Sequence, residues 1–127
     1  MPSIRAGIAA AAILLAGCAP EPRPLDQDLT LVGMEPFWAV AVSNKTKMLK
    51  FSRMGSADMD AGYPVESKTK DAIVLTSQSP EGDIVITLRN KTCLDGMSER
   101  KYPWAVEVQF KGQTLKGCGG PKQAPVG

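Results

Sequence analysis

The sequence predicts an all-β fold, a small antiparallel barrel or sandwich of about seven to eight strands with one disulfide. Short apolar runs alternate with polar residues at the two-residue period of a half-buried strand, and the body of the chain shows no helical period. The chain contains 12 glycines and 10 prolines, which favour frequent turns. Its 127 residues suit one small domain once a targeting segment is removed.

The first predicted hairpin has an aromatic strand. Residues 37–42 alternate so that Trp38 and both valines fall on one face. Residues 43–46, Ser-Asn-Lys-Thr, have the composition of a turn and lead into a further strand at 47–53. Residues 29–32 are a weaker strand before this hairpin, so the β-domain is expected to begin at Leu29.

The second predicted hairpin joins residues 72–77 to residues 83–89. Between them, residues 79–82 place proline second and glycine fourth, as a type I turn prefers. Residues 65–68 are a weaker strand that precedes this hairpin.

The third predicted hairpin lies near the C-terminal end of the domain. Residues 104–110 alternate, with both valines, Trp104 and Phe110 facing inward. Residues 111–113 then turn into the strand 114–118, which carries Cys118 back towards Cys93.

The N-terminus has the pattern of an export signal. Arg5 precedes an apolar run at residues 6–16, which is too short for a permanent membrane span. The run ends in Leu15-Ala16-Gly17-Cys18, which resembles the bacterial lipobox. That resemblance implies that residues 1–17 are a lipoprotein signal peptide and that Cys18 becomes a lipidated N-terminus. The alternatives are an ordinary secretory signal with an incidental cysteine, or an uncleaved anchor.

The lipobox resemblance also implies a location in the bacterial cell envelope. Residues 18–28 then form a lipidated, proline-rich tether, followed by the β-domain at 29–120 and a flexible tail at 121–127. Several acyl chains hold a protein stably on a membrane, because each buried methylene contributes about 0.8 kcal/mol. Ala19 follows the lipidated cysteine, and the lack of an aspartate there favours the outer membrane, facing the periplasm.

If lipid occupies Cys18, the other two cysteines are left as a pair. Cys93 and Cys118 are therefore expected to form a disulfide in an oxidising compartment. The bond would close a loop of about 26 residues and contribute roughly 3.5 kcal/mol in the chain-entropy model. Two free thiols or a redox pair are the alternatives, although the spacing is not that of a C-x-x-C motif.

Two segments of unusual composition carry a family resemblance. They read Gly33-Met34-Glu35-Pro36-Phe37-Trp38 and Cys93-Leu94-Asp95-Gly96-Met97-Ser98-Glu99-Arg100-Lys101-Tyr102-Pro103. With Gly117-Cys118, they resemble an uncharacterised family of small bacterial lipoproteins that share Gly-x-Glu-Pro-Phe-Trp and Cys-x-Asp-Gly-Met-Ser-x-Arg-x-Tyr-Pro segments. The resemblance implies an exported protein but no particular activity. Met34 stands where a small polar residue is expected.

The same segments suggest a binding patch at one end of the fold. Its six candidate residues are Glu35, Trp38, Asp95, Arg100, Tyr102 and Trp104. Acids, an arginine and aromatic rings together suit a sugar polymer or a protein loop. In the alternative interpretation both tryptophans are core residues, Asp95 starts a turn, and Glu35 pairs with Arg100 as part of the framework.

Composition limits the functional classes. The chain has no histidine and a formal charge of +2. It also lacks a G-x-S-x-G motif and a phosphate-binding loop. Residues 58–62 have only the opening spacing of a calcium loop, and the methionines are scattered. We therefore expect no enzyme, no cofactor, no metal site and no nucleic-acid partner.

The remaining expectation is a lipid-anchored envelope protein that acts as a non-catalytic binding or accessory module. Its partners are the membrane, through the N-terminal lipid, and an envelope protein, peptidoglycan or lysozyme. One alternative is an inhibitor of a cell-wall hydrolase such as c-type lysozyme, although the overall charge does not suit a strongly basic target. The other is a structural envelope lipoprotein without a discrete ligand site.

Overall fold

The computed structural model describes residues 23–94, 96 and 100–122, and these form one antiparallel sheet of nine strands. The strands are β1 (Leu29–Met34), β2 (Phe37–Ser43), β3 (Met48–Arg53), β4 (Met59–Gly62), β5 (Val65–Lys68), β6 (Ile73–Ser79), β7 (Gly82–Leu94), β8 (Lys101–Phe110) and β9 (Gln113–Pro121). The predicted all-β antiparallel class is confirmed. The predicted signal peptide, Cys18 and most of the predicted tail lie outside the described residues.

Two meanders make up the sheet. Strands β1 to β4 pair in sequence, strands β5 to β9 do the same, and β1 pairs with β9 to join them. The sheet curls so strongly that β4 lies beside β6, where the Ser77 hydroxyl donates a 2.7 Å hydrogen bond to the Gly62 carbonyl. The architecture is a half-barrel, and β4 is a strand that the sequence pattern did not reveal.

Antiparallel pairing collects the connections at two ends of the half-barrel. The end that carries residues 35–36, 54–58, 80–81 and 111–112 is here called the upper end. The end that carries residues 44–47 and 69–72, together with the N-terminal segment 23–28, is called the lower end. The two ends differ in how they close the core.

The core fills the inner face of the curled sheet. Alternate residues of each strand are buried there, as the two-residue period requires. The buried core comprises Leu29, Leu31, Trp38, Val40, Val42, Leu49, Phe51, Ala61, Leu75, Ile84, Ile86, Leu88, Val106, Val108, Phe110 and Leu115. Each large apolar side chain in this set contributes about 1.5–3 kcal/mol by its removal from water.

An arginine closes the upper end of the core. The Arg53 guanidinium lies 5.2 Å from the ring centroid of Phe51 and 5.0 Å from that of Phe110. The two rings pack edge to face with centroids 5.5 Å apart. The cation thus covers two core aromatics by cation–π contact while its charge remains near solvent.

The N-terminal segment covers part of the lower end. A short 3-10 helix, Pro24–Asp26, buries Pro24 and presents the Leu25 carbonyl to two donors. The Asn44 side-chain amide donates to it at 2.5 Å and the Tyr63 hydroxyl at 3.0 Å. Part of the stretch predicted as tether is therefore packed against the domain. No helix in the described part of the chain is long and apolar enough to cross a membrane.

Candidate functional site

A bulge separates the outer part of the β7–β8 hairpin from the sheet. Asn90 pairs with Trp104, whereas Cys93 pairs with Tyr102, so β7 carries one residue more than β8 between these positions. Such a bulge bends the hairpin and increases its twist. We call the part beyond the bulge, residues 91–94 with 100–103, the arm.

A disulfide fixes the arm to β9. Cys93 and Cys118 are bonded, with their Cα atoms 5.5 Å apart, which confirms the predicted pair. Cys118 shares its face of the sheet with its partners Val32 and Ala105, on the side opposite the core. The bond therefore holds the arm over the outer face of the half-barrel.

Further contacts hold the start of β8 against the end of β9. Arg100 donates a 2.8 Å hydrogen bond to the Pro121 carbonyl, and its guanidinium lies 4.3 Å from the ring centroid of Tyr102. Tyr102 is buried, although it does not belong to the core cluster. Pro103 packs so closely on Gly120 that a Cβ at Gly120 would lie 2.7 Å from the proline ring. In this arrangement Arg100 and Tyr102 hold the arm in place.

Trp38 is a core residue that joins the first motif to β9. Its ring is buried, and its indole N–H donates a 3.1 Å hydrogen bond to the Lys116 carbonyl. The ring fits because glycine stands at both neighbouring positions. A Cβ at Gly33 would lie 1.9 Å from the indole nitrogen, and a Cβ at Gly117 would lie 2.8 Å from a ring carbon.

An open groove of about 510 Å³ lies where the two motif segments meet. Its lining comprises Val32 and residues 33–35 of the first segment, residues 93, 94 and 96 of the second, and residues 116–118 of β9. Two large apolar side chains stand exposed there, Met34 at 38% and Leu94 at 64%. Glu35 and Lys116, both exposed, add one charge of each sign. The groove therefore combines apolar contact area with charged groups.

The structure places the described residues of the predicted patch apart. Glu35 lines the groove, whereas the Trp38 and Tyr102 side chains are buried. Trp104 is partly buried and lines a different cavity, near the lower end. Asp95 lies outside the described residues. The described patch residues thus do not form one accessible surface.

Three groove residues were missed by the sequence reasoning. Among the described lining residues, Met34, Leu94 and Lys116 have exposed side chains, as Glu35 does. Met34 and Leu94 stand at the unspecified positions of the two motifs, and Lys116 precedes Gly117-Cys118. The predicted Cys93–Cys118 bond could have indicated the groove, because it places the residues next to the two cysteines side by side.

The function of the groove is inferred from its geometry. Comparison with protein-family models, curated proteins and solved structures finds no match to this chain. Within the described residues, no three His, Cys, Asp or Glu side chains lie close enough together to hold a metal ion.

Proposed function

We propose that this chain is an exported protein of the bacterial envelope, anchored through lipid on Cys18 and facing the periplasm from the outer membrane. Its domain is a non-catalytic binding module. The groove between the two motif segments takes a peptide segment of another envelope protein. The observation that carries this proposal is that segments far apart in the sequence meet in one groove of about 510 Å³ beside the disulfide.

Two observations support the location. The Leu15-Ala16-Gly17-Cys18 sequence has the residues that a lipobox requires around its cysteine. The Cys93–Cys118 disulfide is of the kind that persists in oxidising compartments such as the periplasm and is rare in the cytosol.

The lining of the groove favours a peptide as its occupant. Backbone of Gly33 and Gly117 lines the wall, and Met34 and Leu94 offer apolar contacts. Glu35 and Lys116 would orient a segment that carries charges of both signs. The disulfide holds one wall in place, which lowers the entropy cost of ordering the site on binding.

The other partners suit the groove less well. No aromatic residue is among the described residues that line the groove, whereas a sugar polymer such as peptidoglycan is best held by exposed rings. A strongly basic lysozyme requires an acidic surface, whereas the two charged side chains among the described lining residues, Glu35 and Lys116, have opposite signs.

Capture by wild-type and variant protein tests the proposal. The full-length protein, expressed in a bacterium and purified in detergent, is immobilised and exposed to envelope extract, to purified peptidoglycan and to c-type lysozyme. The test variant is Leu94→Asp, and the matched control is Val65→Asp, since Val65 is a 72% exposed apolar residue on β5. Any captured protein is then purified and its affinity is measured against all three forms.

We expect one envelope protein to bind wild type and the Val65→Asp variant equally. The same protein should bind the Leu94→Asp variant at least about tenfold more weakly, because the complex loses a buried apolar anchor. Equal binding by both variants would contradict the groove assignment. If only peptidoglycan or only lysozyme is captured, that partner is the ligand and the peptide assignment is wrong.

A further inference from the structure

A second cavity lies near the lower end of the half-barrel. It has a volume of about 180 Å³ and is lined by residues 68–73 together with Leu88, Asn90 and Trp104. The upper end is covered by Arg53, and Leu25 and Tyr63 pack against the core at the lower end. The mouth of a curled sheet is a common place for small-ligand sites.

The floor of this cavity is apolar and is set by strand pairing. Ile73 pairs with Leu88, and Trp104 pairs with Asn90 on one side and Gly119 on the other. The Leu31 side chain occupies the space where a side chain of residue 119 would lie, since a Cβ on Gly119 would be 2.2 Å from it. Trp104 packs against the core and remains partly exposed to the cavity. The indole is thereby held at the cavity by the sheet rather than by a loop.

The rim is polar and is held by a tight loop. Thr69 and Ala72 exchange three hydrogen bonds of 2.8 to 3.1 Å, which fix the connection between β5 and β6. This loop and the end of β5 place Lys68, Lys70 and Asp71 at the cavity. Two ammonium groups against one carboxylate favour an anion.

We propose that this lower mouth binds a single sugar ring that carries a negative charge. The C–H face of a pyranose is apolar and packs on the indole of Trp104 and on Ile73, both only partly buried. Ring hydroxyls suit the Asn90 amide and the Asp71 carboxylate, and the anionic group suits Lys68 and Lys70. The small volume, below the roughly 300–1,000 Å³ of drug-sized pockets, favours one ring over a chain.

Titration with three sugars tests this site in the full-length protein. Glucuronate carries a carboxylate, glucose 6-phosphate carries a phosphate, and glucose is neutral. Binding is followed by calorimetry and by tryptophan fluorescence, because the chain has only two tryptophans and the ring of Trp38 is buried. The variants are Trp104→Leu and the double change Lys68→Gln with Lys70→Gln. Lys45→Gln with Lys50→Gln is the control that removes two other exposed lysines.

We expect at least one anionic sugar to bind at least about tenfold more tightly than glucose. The Lys68/Lys70 variant should bind that sugar about tenfold more weakly than wild type does, because charge-assisted hydrogen bonds are lost. The Lys45/Lys50 control should bind like wild type, and Trp104→Leu should abolish the calorimetric signal. The anionic sugar that binds identifies the favoured group. Absence of binding by both anions, equal binding of glucose, or an equal loss in the control would overturn the proposal. Leu94→Asp should leave this binding unchanged, so the groove and the mouth are tested separately.

Discussion

At the scale of single residues, glycines make the junction of the two motifs possible. The Trp38 ring lies against Gly33 and Gly117, and its N–H bonds to β9. The sequence predicted Trp38 on the inner face from its period. It could not reveal why Gly33 and Gly117 are needed, because that depends on which strand lies under the ring.

Replacement of Gly117 by alanine tests this packing. A Cβ there would lie 1.9 Å from the Val32 carbonyl oxygen, so backbone must move, and we expect a loss of at least about 2 kcal/mol in unfolding free energy. The control is Gly62→Ala, whose Cβ would meet its nearest atom at 3.6 Å and should change stability by no more than about 1 kcal/mol. Chemical denaturation measures both, and equal stabilities would refute the packing argument.

At the scale of elements, the arm is defined by one bulge and one disulfide. The disulfide was predictable from cysteine arithmetic once Cys18 was assigned to lipid. The bulge between Asn90 and Cys93 was not, since the polar residues there fit either register. Strand β4 was also missed, because its four residues, Met-Asp-Ala-Gly, show too short a period to identify a strand.

Loss of the disulfide should release the arm and destabilise the domain. The bonded residues are 25 apart in sequence. We therefore expect Cys93→Ser with Cys118→Ser to cost roughly 3.5 kcal/mol in the chain-entropy model. Hydrogen exchange should accelerate at the amides of residues 101 and 102 more than at those of residues 84–88 in the core. Unchanged stability and uniform exchange would show that the arm is held without the bond.

The turns at the upper end carry an ion pair that affects titration. Lys111 Nζ lies 2.7 Å from the Glu81 carboxylate, and this hydrogen bond lowers the pKa of Glu81 below its ordinary value of 4.5. Because the folded pKa is depressed, any stabilisation is present above the unfolded pKa and is lost as pH falls through the folded value. An NMR titration should give a pKa for Glu81 below 4.5, and the Lys111→Gln substitution should raise that pKa. If the pKa of Glu81 is the same in wild type and in Lys111→Gln, the ion pair does not form in solution.

At the scale of the whole molecule, strand alternation was enough to predict an antiparallel β-domain but not its curvature. The half-barrel separates residues that the sequence placed in one patch. Trp104 lines the lower mouth, and Glu35 lines the groove at the other end of β1. Which residues share a surface depends on the curl and on the bulge, neither of which has a local sequence signal. The groove is therefore a result of the assembled fold.

Anchoring is tested with the whole protein in cells. Since Pro24 is buried at the lower end, lipid on Cys18 would hold that end towards the bilayer. We expect wild-type protein in the membrane fraction and Cys18→Ser in the soluble fraction or retained as an unprocessed precursor. Ala19→Ser serves as the control and should remain in the membrane fraction. Equal fractionation of wild type and Cys18→Ser would rule out the lipid anchor.

Photo-crosslinking in living cells tests whether the groove binds a segment of another envelope protein. A photoreactive amino acid is placed at position 94 in the groove or at position 65 on β5, both exposed in the structure. We expect irradiation to give one discrete protein adduct from position 94 and none of that size from position 65. No adduct from position 94, or the same adduct from both positions, would contradict it.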